Sequence, residues 1–103
     1  MSANPYRGEV ALTIGGETRV MRLTLGRLAA LEARLGAGSL MELIGRFEDG
    51  RFRAEDLVAL IAAGLDLSEG EVMEAEIAGG PAAAARAAAA LLRLTFGPPE
   101  EAG

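Results

Sequence analysis

The sequence reads as an α+β fold, mostly α. It has an N-terminal β-hairpin over about residues 7–24, about five short helices over about 25–96, and a frayed tail at 98–103, all in one small domain. Three observations carry this. Residues 9–14 alternate polar or small with apolar at period two. From residue 25 onward, apolar residues recur at spacings of three and four, punctuated by Gly and by two Ser-x-x-Glu signals. The length, 103 residues, is that of one domain. Such a chain buries about 60–68% of its unfolded surface.

Val10, Leu12 and Ile14 form the apolar side of the first strand, and Gly15-Gly16-Glu17 follows. A two-residue turn at Gly16-Glu17 sets Leu12 opposite Met21 and Val10 opposite Leu23. On the other face it sets Thr13 opposite Val20 and Ala11 opposite Arg22. A turn at Gly15-Gly16 would set Leu12 against Arg19. The apolar match therefore favours strands over about 7–15 and 18–24. A lone hairpin is marginal in water, so it must lie against helices or a partner.

Thr24 caps a helix carrying Leu25, Leu28, Leu31 and Leu35, and Gly36 suits its left-handed end. Ser39 and Glu42 form a capping box before Leu40, Leu43, Ile44 and Phe47, and Gly50 stops that helix. A third helix holds Leu57, Leu60, Ile61 and Leu65. Glu55 and Asp56 sit in its dipole-favoured first turn, and no capping side chain stands near Arg53. Ser68 and Glu71 form a second capping box, opening a short helix with Val72, Met73 and Ile77 that ends at Gly79-Gly80. Pro81 fits a first helical position. Ala82–Phe96 is the last helix, stopped by Gly97-Pro98-Pro99.

Composition removes much of the catalytic toolbox. The chain has no Cys, His, Lys or Trp. Disulfides, thiolate and imidazole chemistry, Schiff bases and the usual zinc sites are excluded. Its three serines have no activating base, and two serve as caps. No cofactor and no metal is expected: an Asp66-x-Ser68-x-Gly70 run fails as a calcium loop, with Glu71 at the glycine position and Ile77 at the closing one. Gly79-Gly80-Pro81 reads as helix punctuation and not as an anion site, having acidic flanks.

Net charge is −5, unevenly spread. Residues 1–53 hold eight Arg and six acids, a net of +2, and residues 54–103 hold two Arg and nine acids, a net of −7. The acidic half repels nucleic acid and anionic membrane. The Arg residues of the first half are interleaved with Glu9, Glu17, Glu48 and Asp49 and read as a mixed surface. The start, Met1–Tyr6, is polar, and Pro81–Leu92 is too short to span a bilayer, so a bacterial cytoplasmic location is expected.

The last helix carries the best interaction signal. Ala82–Ala90 is small and smooth, and Leu91, Leu92, Leu94 and Phe96 supply anchors spaced for helix-in-groove binding. These four are the expected partner contacts, followed by Met41, Phe47 and Phe52. Closing the domain's own core is the competing role for the same helix. The hairpin offers a second route to a partner, since a two-stranded sheet leaves both edges free.

Pro5–Ile14, Arg22–Gly36, Arg46–Phe52, Asp56–Gly64 and Gly79–Gly97 together resemble the small tail proteins of bacterial gene transfer agents. These belong to a phage tail assembly chaperone family also labelled tail tube proteins. The resemblance implies a non-enzymatic role in building a phage-like tail of a gene transfer agent or prophage. It implies a chaperone that binds the long tape-measure protein and keeps its apolar helices soluble until tube subunits polymerise. The alternative it leaves is a structural subunit of the tail tube or its terminus, with tube subunits as partners and self-association. Tube proteins close rings with several strands, and this chain offers one hairpin. A third class is a small helical adaptor unrelated to phage; no basic recognition helix supports DNA binding.

Overall fold

The computed structural model describes residues 3–4, 7–35 and 39–96, with residue 39 in backbone only. The element order is β1 (Val10–Ile14), β2 (Glu17–Met21), α1 (Leu25–Leu35), α2 (Ser39–Asp49), α3 (Ala54–Leu65), α4 (Glu69–Glu74) and α5 (Gly80–Phe96). One antiparallel hairpin and five helices thus form a single compact domain. The expected left-handed Gly36, the Ser39 cap, the Gly97-Pro98-Pro99 stop and the tail at 98–103 lie outside what is described.

The hairpin differs from expectation in register and length. Val10 pairs with Met21, Ala11 with Val20, Leu12 with Arg19, Thr13 with Thr18 and Ile14 with Glu17. The turn is Gly15-Gly16, with φ of 61° and 81°. Two-residue hairpin turns match the strand twist with positive φ at both central residues or at the first alone. The turn formed here has both positive, which Gly-Gly supplies freely and Gly16-Glu17 would not. Turn geometry outweighs the apolar cross-strand match.

The slip is two residues, so every side chain keeps its face. Leu12, Ile14 and Met21 are buried as the alternation requires. Arg19, opposite Leu12, is half-buried, which lets its stem cover apolar surface while the charge stays wet. On the outer face the Thr13 and Thr18 hydroxyls meet at 3.0 Å.

The outer edge of β1 is covered. Gly15 N–H donates to Glu76 C=O at 2.7 Å, and Ala78 N–H donates to Thr13 C=O at 3.0 Å, bridging Ile14 to Ile77. Ile77 is therefore a strand-like bridge residue and not part of α4, which ends at Glu74. The expectation of two free sheet edges is corrected: the β1 edge is paired, and the β2 strand itself has no such backbone partner on its outer edge among the described residues. Arg22 N–H donates to Gly64 C=O at 2.9 Å. By the alternation of antiparallel pairing, Thr18 and Val20 also turn their backbone groups outward, on the free edge.

Helix α3 is the centre of the domain and packs against β2, α1, α4 and α5. Ala59, Leu60, Ile61, Ala62, Gly64 and Leu65 are all buried. Gly64 permits the closest approach: a methyl there would meet Leu91 Cδ2 at 3.0 Å and Met21 Cβ at 3.1 Å. The helix ends at Asp66, a non-glycine residue at φ 60°. Arg27 reinforces this end by donating to the carbonyls of Arg22 (3.0 Å) and Gly64 (3.1 Å).

In α1, Thr24 caps through Arg27 N–H at 3.2 Å. Leu31 is buried, but Leu25 is 84% exposed. At about 100° per residue, Leu25 stands about 240° from Leu31, so it does not share the core face. In α2, Leu43 and Phe47 are buried, and Arg51 N–H closes the helix end on Arg46 C=O at 2.8 Å.

Candidate functional site

The residues expected to contact a partner fall into distinct places. Leu91 and Leu92 are 0% and 3% exposed and belong to the domain's own core. At 100° per residue Leu94 lies about 60° beyond Leu91 and Phe96 about 40° beyond Leu92, on the two outer flanks of the buried stripe, and these are 41% and 40% exposed. Met41 stands out on α2 at 74% exposure. Phe47 is buried, and its ring stacks on Phe52 with centroids 4.5 Å apart and planes 5° from parallel.

Three of the seven come together. Phe47, Leu92 and Phe96 join Ile44 and Ala89 along an open groove of about 480 Å³ between α2 and α5. Glu48 stands on one wall and Arg93 on the other. Phe47 and Leu92 form the floor, Ala89 keeps the α5 wall low, and Phe96 forms the lip. Phe52 supports Phe47 through the stacked pair. Leu91, Leu94 and Met41 do not line the groove.

The sequence reading places Ile44 on the apolar face of its helix and Glu48 among surface acids, singles out neither Ala89 nor Arg93, and expects none of the four as a partner contact. Ile44 had a readable signal, lying three residues before Phe47 on one helical stripe. Ala89 and Arg93 had none, because which face of α5 meets α2 is a property of the packing.

The α2 wall is held by a buried ion pair. Asp56 is 2% exposed and accepts from Arg46 Nη1 at 2.8 Å and from Arg53 N–H at 2.9 Å. Arg46 is a helical turn of α2 beyond Glu42, which also meets it at 3.6 Å. The Asp56 hydrogen bond and charge hold the Arg46 guanidinium above its ordinary pKa. The carboxylate thus joins α2 to α3 across the Gly50 turn. It also serves the start of α3, where no N-cap side chain was expected and none accepts a bond. Its oxygen accepting from Arg53 N–H is the reciprocal half of a capping box.

Other charged groups have comparable structural duties. Arg34 grips Glu69 through two bonds of 2.7 and 3.1 Å, tying α1 to α4 and raising the Arg34 pKa. Ser68 and Glu71 cap α4 reciprocally at 3.1 and 2.9 Å. The Ser68 N–H, then its hydroxyl, with Arg19 contributing, hold the Glu71 carboxyl below the usual range.

Chemically the groove offers apolar surface, one carboxylate and one guanidinium. It is a shape for holding a polypeptide segment rather than for transferring a group. Among the described residues no group of three or more Asp or Glu could hold a metal ion. No described helix is long and apolar enough to cross a membrane.

No curated protein and no solved structure matches the chain. The model of one family, described as phage tail tube protein, GTA-gp10, matches residues 7–98. That span includes the hairpin, both groove walls and the Asp56 pair, and it sets aside the reading as an adaptor unrelated to phage. The chain therefore belongs to the phage tail tube protein family GTA-gp10, a gene transfer agent tail family.

Proposed function

We propose that the protein is a non-enzymatic tail-assembly chaperone whose α2–α5 groove holds an apolar helical segment of the tape-measure protein. The family is a structural phage tail family and not an enzyme class, so its members work through other tail proteins. The observation that carries the chaperone reading is the preformed groove with an exposed aromatic lip, Phe96, over an apolar floor. A segment with side chains at i, i+3 and i+4 would set one anchor between Phe47, Leu92 and Phe96, with Met41 extending the contact at the flank, while Leu94, about 160° from Phe96 around α5, would meet a partner only on another face of that helix. Leu91 and Phe52 act from behind, by shaping the floor. Such a reading has the protein working in the bacterial cytoplasm before tails are complete.

A second reading, a structural subunit of the tail tube or its terminus, has its own support. The family description names the tail tube. The free β2 edge at Thr18 and Val20 is a place where a tube subunit or a second copy could add a strand. Against it, the strands are five residues long and the β1 edge is already occupied.

A tagged chain expressed in the native host separates the two. The chaperone reading expects the tape-measure protein in the pull-down and no tag in purified particles. Tag present in many copies per particle, with tube subunits in the pull-down, would replace it with the structural reading.

A further inference from the structure

The α2–α5 groove carries one charge on each wall, and the two are opposite. Glu48 of α2 and Arg93 of α5 both line it. Helix geometry agrees. Glu48 lies about 40° from Ile44 around α2, and Arg93 lies about 40° from Ala89 around α5, each one turn further along the lining stripe. Both are exposed, and neither side chain forms an ion pair or hydrogen bond among the described residues. The nearby charges of α2 are committed elsewhere: Asp49 pairs with Arg51 and Arg46 with Asp56, each at 2.8 Å.

The fold itself explains only one of the two charges. Arg93 stands in the last turn of α5, where the negative end of the helix dipole favours a cation. Glu48 stands in the last turn of α2, where the same field disfavours a carboxylate. Asp49 meets that field too, but Arg51 offsets it. Glu48 is therefore placed against local electrostatics, on the wall of an apolar groove, with no cation paired to it among the described residues.

We infer, resting on the groove as the site that holds a partner helix, that its two walls fix the direction in which that helix lies. The occupant is an amphipathic helix whose apolar stripe is bordered by Lys or Arg on one side and by Asp or Glu on the other. Its basic border meets Glu48, and its acidic border meets Arg93. Charge complementarity selects this occupant: a helix basic on both borders sets a cation against Arg93, and one acidic on both sets a carboxylate against Glu48. Turning a helix end for end, with its apolar stripe still on the floor, exchanges its borders. Only one of the two directions then satisfies both walls.

The test is calorimetric titration of the full chain with two synthetic helices of about 18 residues, each with a Leu stripe. One is bordered by Lys on one side and Glu on the other, so its net charge is near zero and attraction by overall charge is removed. The other has Gln on both borders. The Lys/Glu peptide should bind about fivefold tighter than the Gln peptide. Glu48→Lys or Arg93→Glu alone should remove that advantage, and the two together should restore it to within about twofold, with the peptide reversed. Direction is read by a nitroxide on Arg86→Cys, the chain having no other Cys. Arg86 is exposed and lies about 10 Å before Arg93 on the same side of α5. The label should broaden the resonances of one peptide terminus in the otherwise unchanged protein and of the other terminus in the reversed pair. Circular dichroism checks that each variant folds. Equal affinity for the two peptides, or an unchanged direction in the reversed pair, would overturn the inference. If Phe96→Glu still weakens that binding at least about tenfold, the groove remains the binding site. Binding that Phe96→Glu leaves untouched, or no binding of either peptide, would overturn both.

Discussion

The two halves of α5 differ in what their side chains allow. The first half is nearly all alanine, and Ala84 and Ala88 lie buried, so the helix can approach its neighbours closely. The second half is leucine and phenylalanine. It divides its large side chains between the core, through Leu91 and Leu92, and the surface, through Leu94 and Phe96. One helix therefore closes the domain along one stripe, and Leu94 and Phe96 stand partly exposed on opposite flanks of that stripe. The lesson is that an apolar cluster in a sequence specifies burial only once its angular position is known.

That contrast can be broken most strongly at the buried stripe. Leu91→Ala should cost about 2–5 kcal/mol in urea unfolding, because its neighbours cannot collapse fully into the space. Leu94→Ala should stay within about 0.5 kcal/mol. Equal losses would show that the flank is packed as tightly as the buried stripe.

Asp56→Ala removes the link that holds the α2 wall. It leaves Arg46 with only Glu42, at 3.6 Å, and Arg53 N–H without its acceptor. We expect a loss of about 3 kcal/mol, read by thermal unfolding. Binding in the groove should weaken as well, if the wall is set by this pair.

Gly64→Ala probes how closely the packing around α5 is set. The added methyl meets Met21 and Leu91, both 0% exposed, so neither yields easily. The expected cost is about 1–3 kcal/mol. A neutral outcome would mean that the second half of α5 and the hairpin shift readily.

Ser68→Ala is the smallest of the set, about 1 kcal/mol, from the lost cap on α4. It also carries a pH signature. The Glu71 carboxyl is lower in the fold than when unfolded, so its contribution is present above the unfolded carboxyl range, near pH 4.3. It is lost as pH falls through the lower folded value. Ser68→Ala keeps the Ser68 N–H bond, the larger cause, and removes only the hydroxyl's share, so the acid side of the stability profile should be slightly flatter. An unchanged profile would show that the hydroxyl does not contribute to the Glu71 titration.

Much of this architecture was legible in the residues. Thr24 and the Ser68–Glu71 box marked helix starts because their side chains bond local backbone, which needs no tertiary context. The faces of β1 and β2 were legible because alternation is local and a slip of two preserves it. The register was not, since two turns competed and the positive φ of Gly15 and Gly16 decided between them. Ile77 was misplaced in a helix because its pairing partner, Ile14, lies far away in the chain. The groove was half legible. Phe47, Leu92 and Phe96 stood out as large apolar residues, yet only packing separates Leu92 from Leu91 and brings Ala89 opposite Ile44.

The most direct test of the central claim is a titration of the purified protein with segments of the tape-measure protein from the same tail gene cluster, run in parallel with Phe96→Glu. Phe96 is exposed, so the fold should persist in the variant. The account expects a segment that binds the wild type and loses at least about tenfold in affinity to Phe96→Glu. A segment that binds both proteins equally, or no binding segment at all, would contradict the groove as the site of the chaperone's grip.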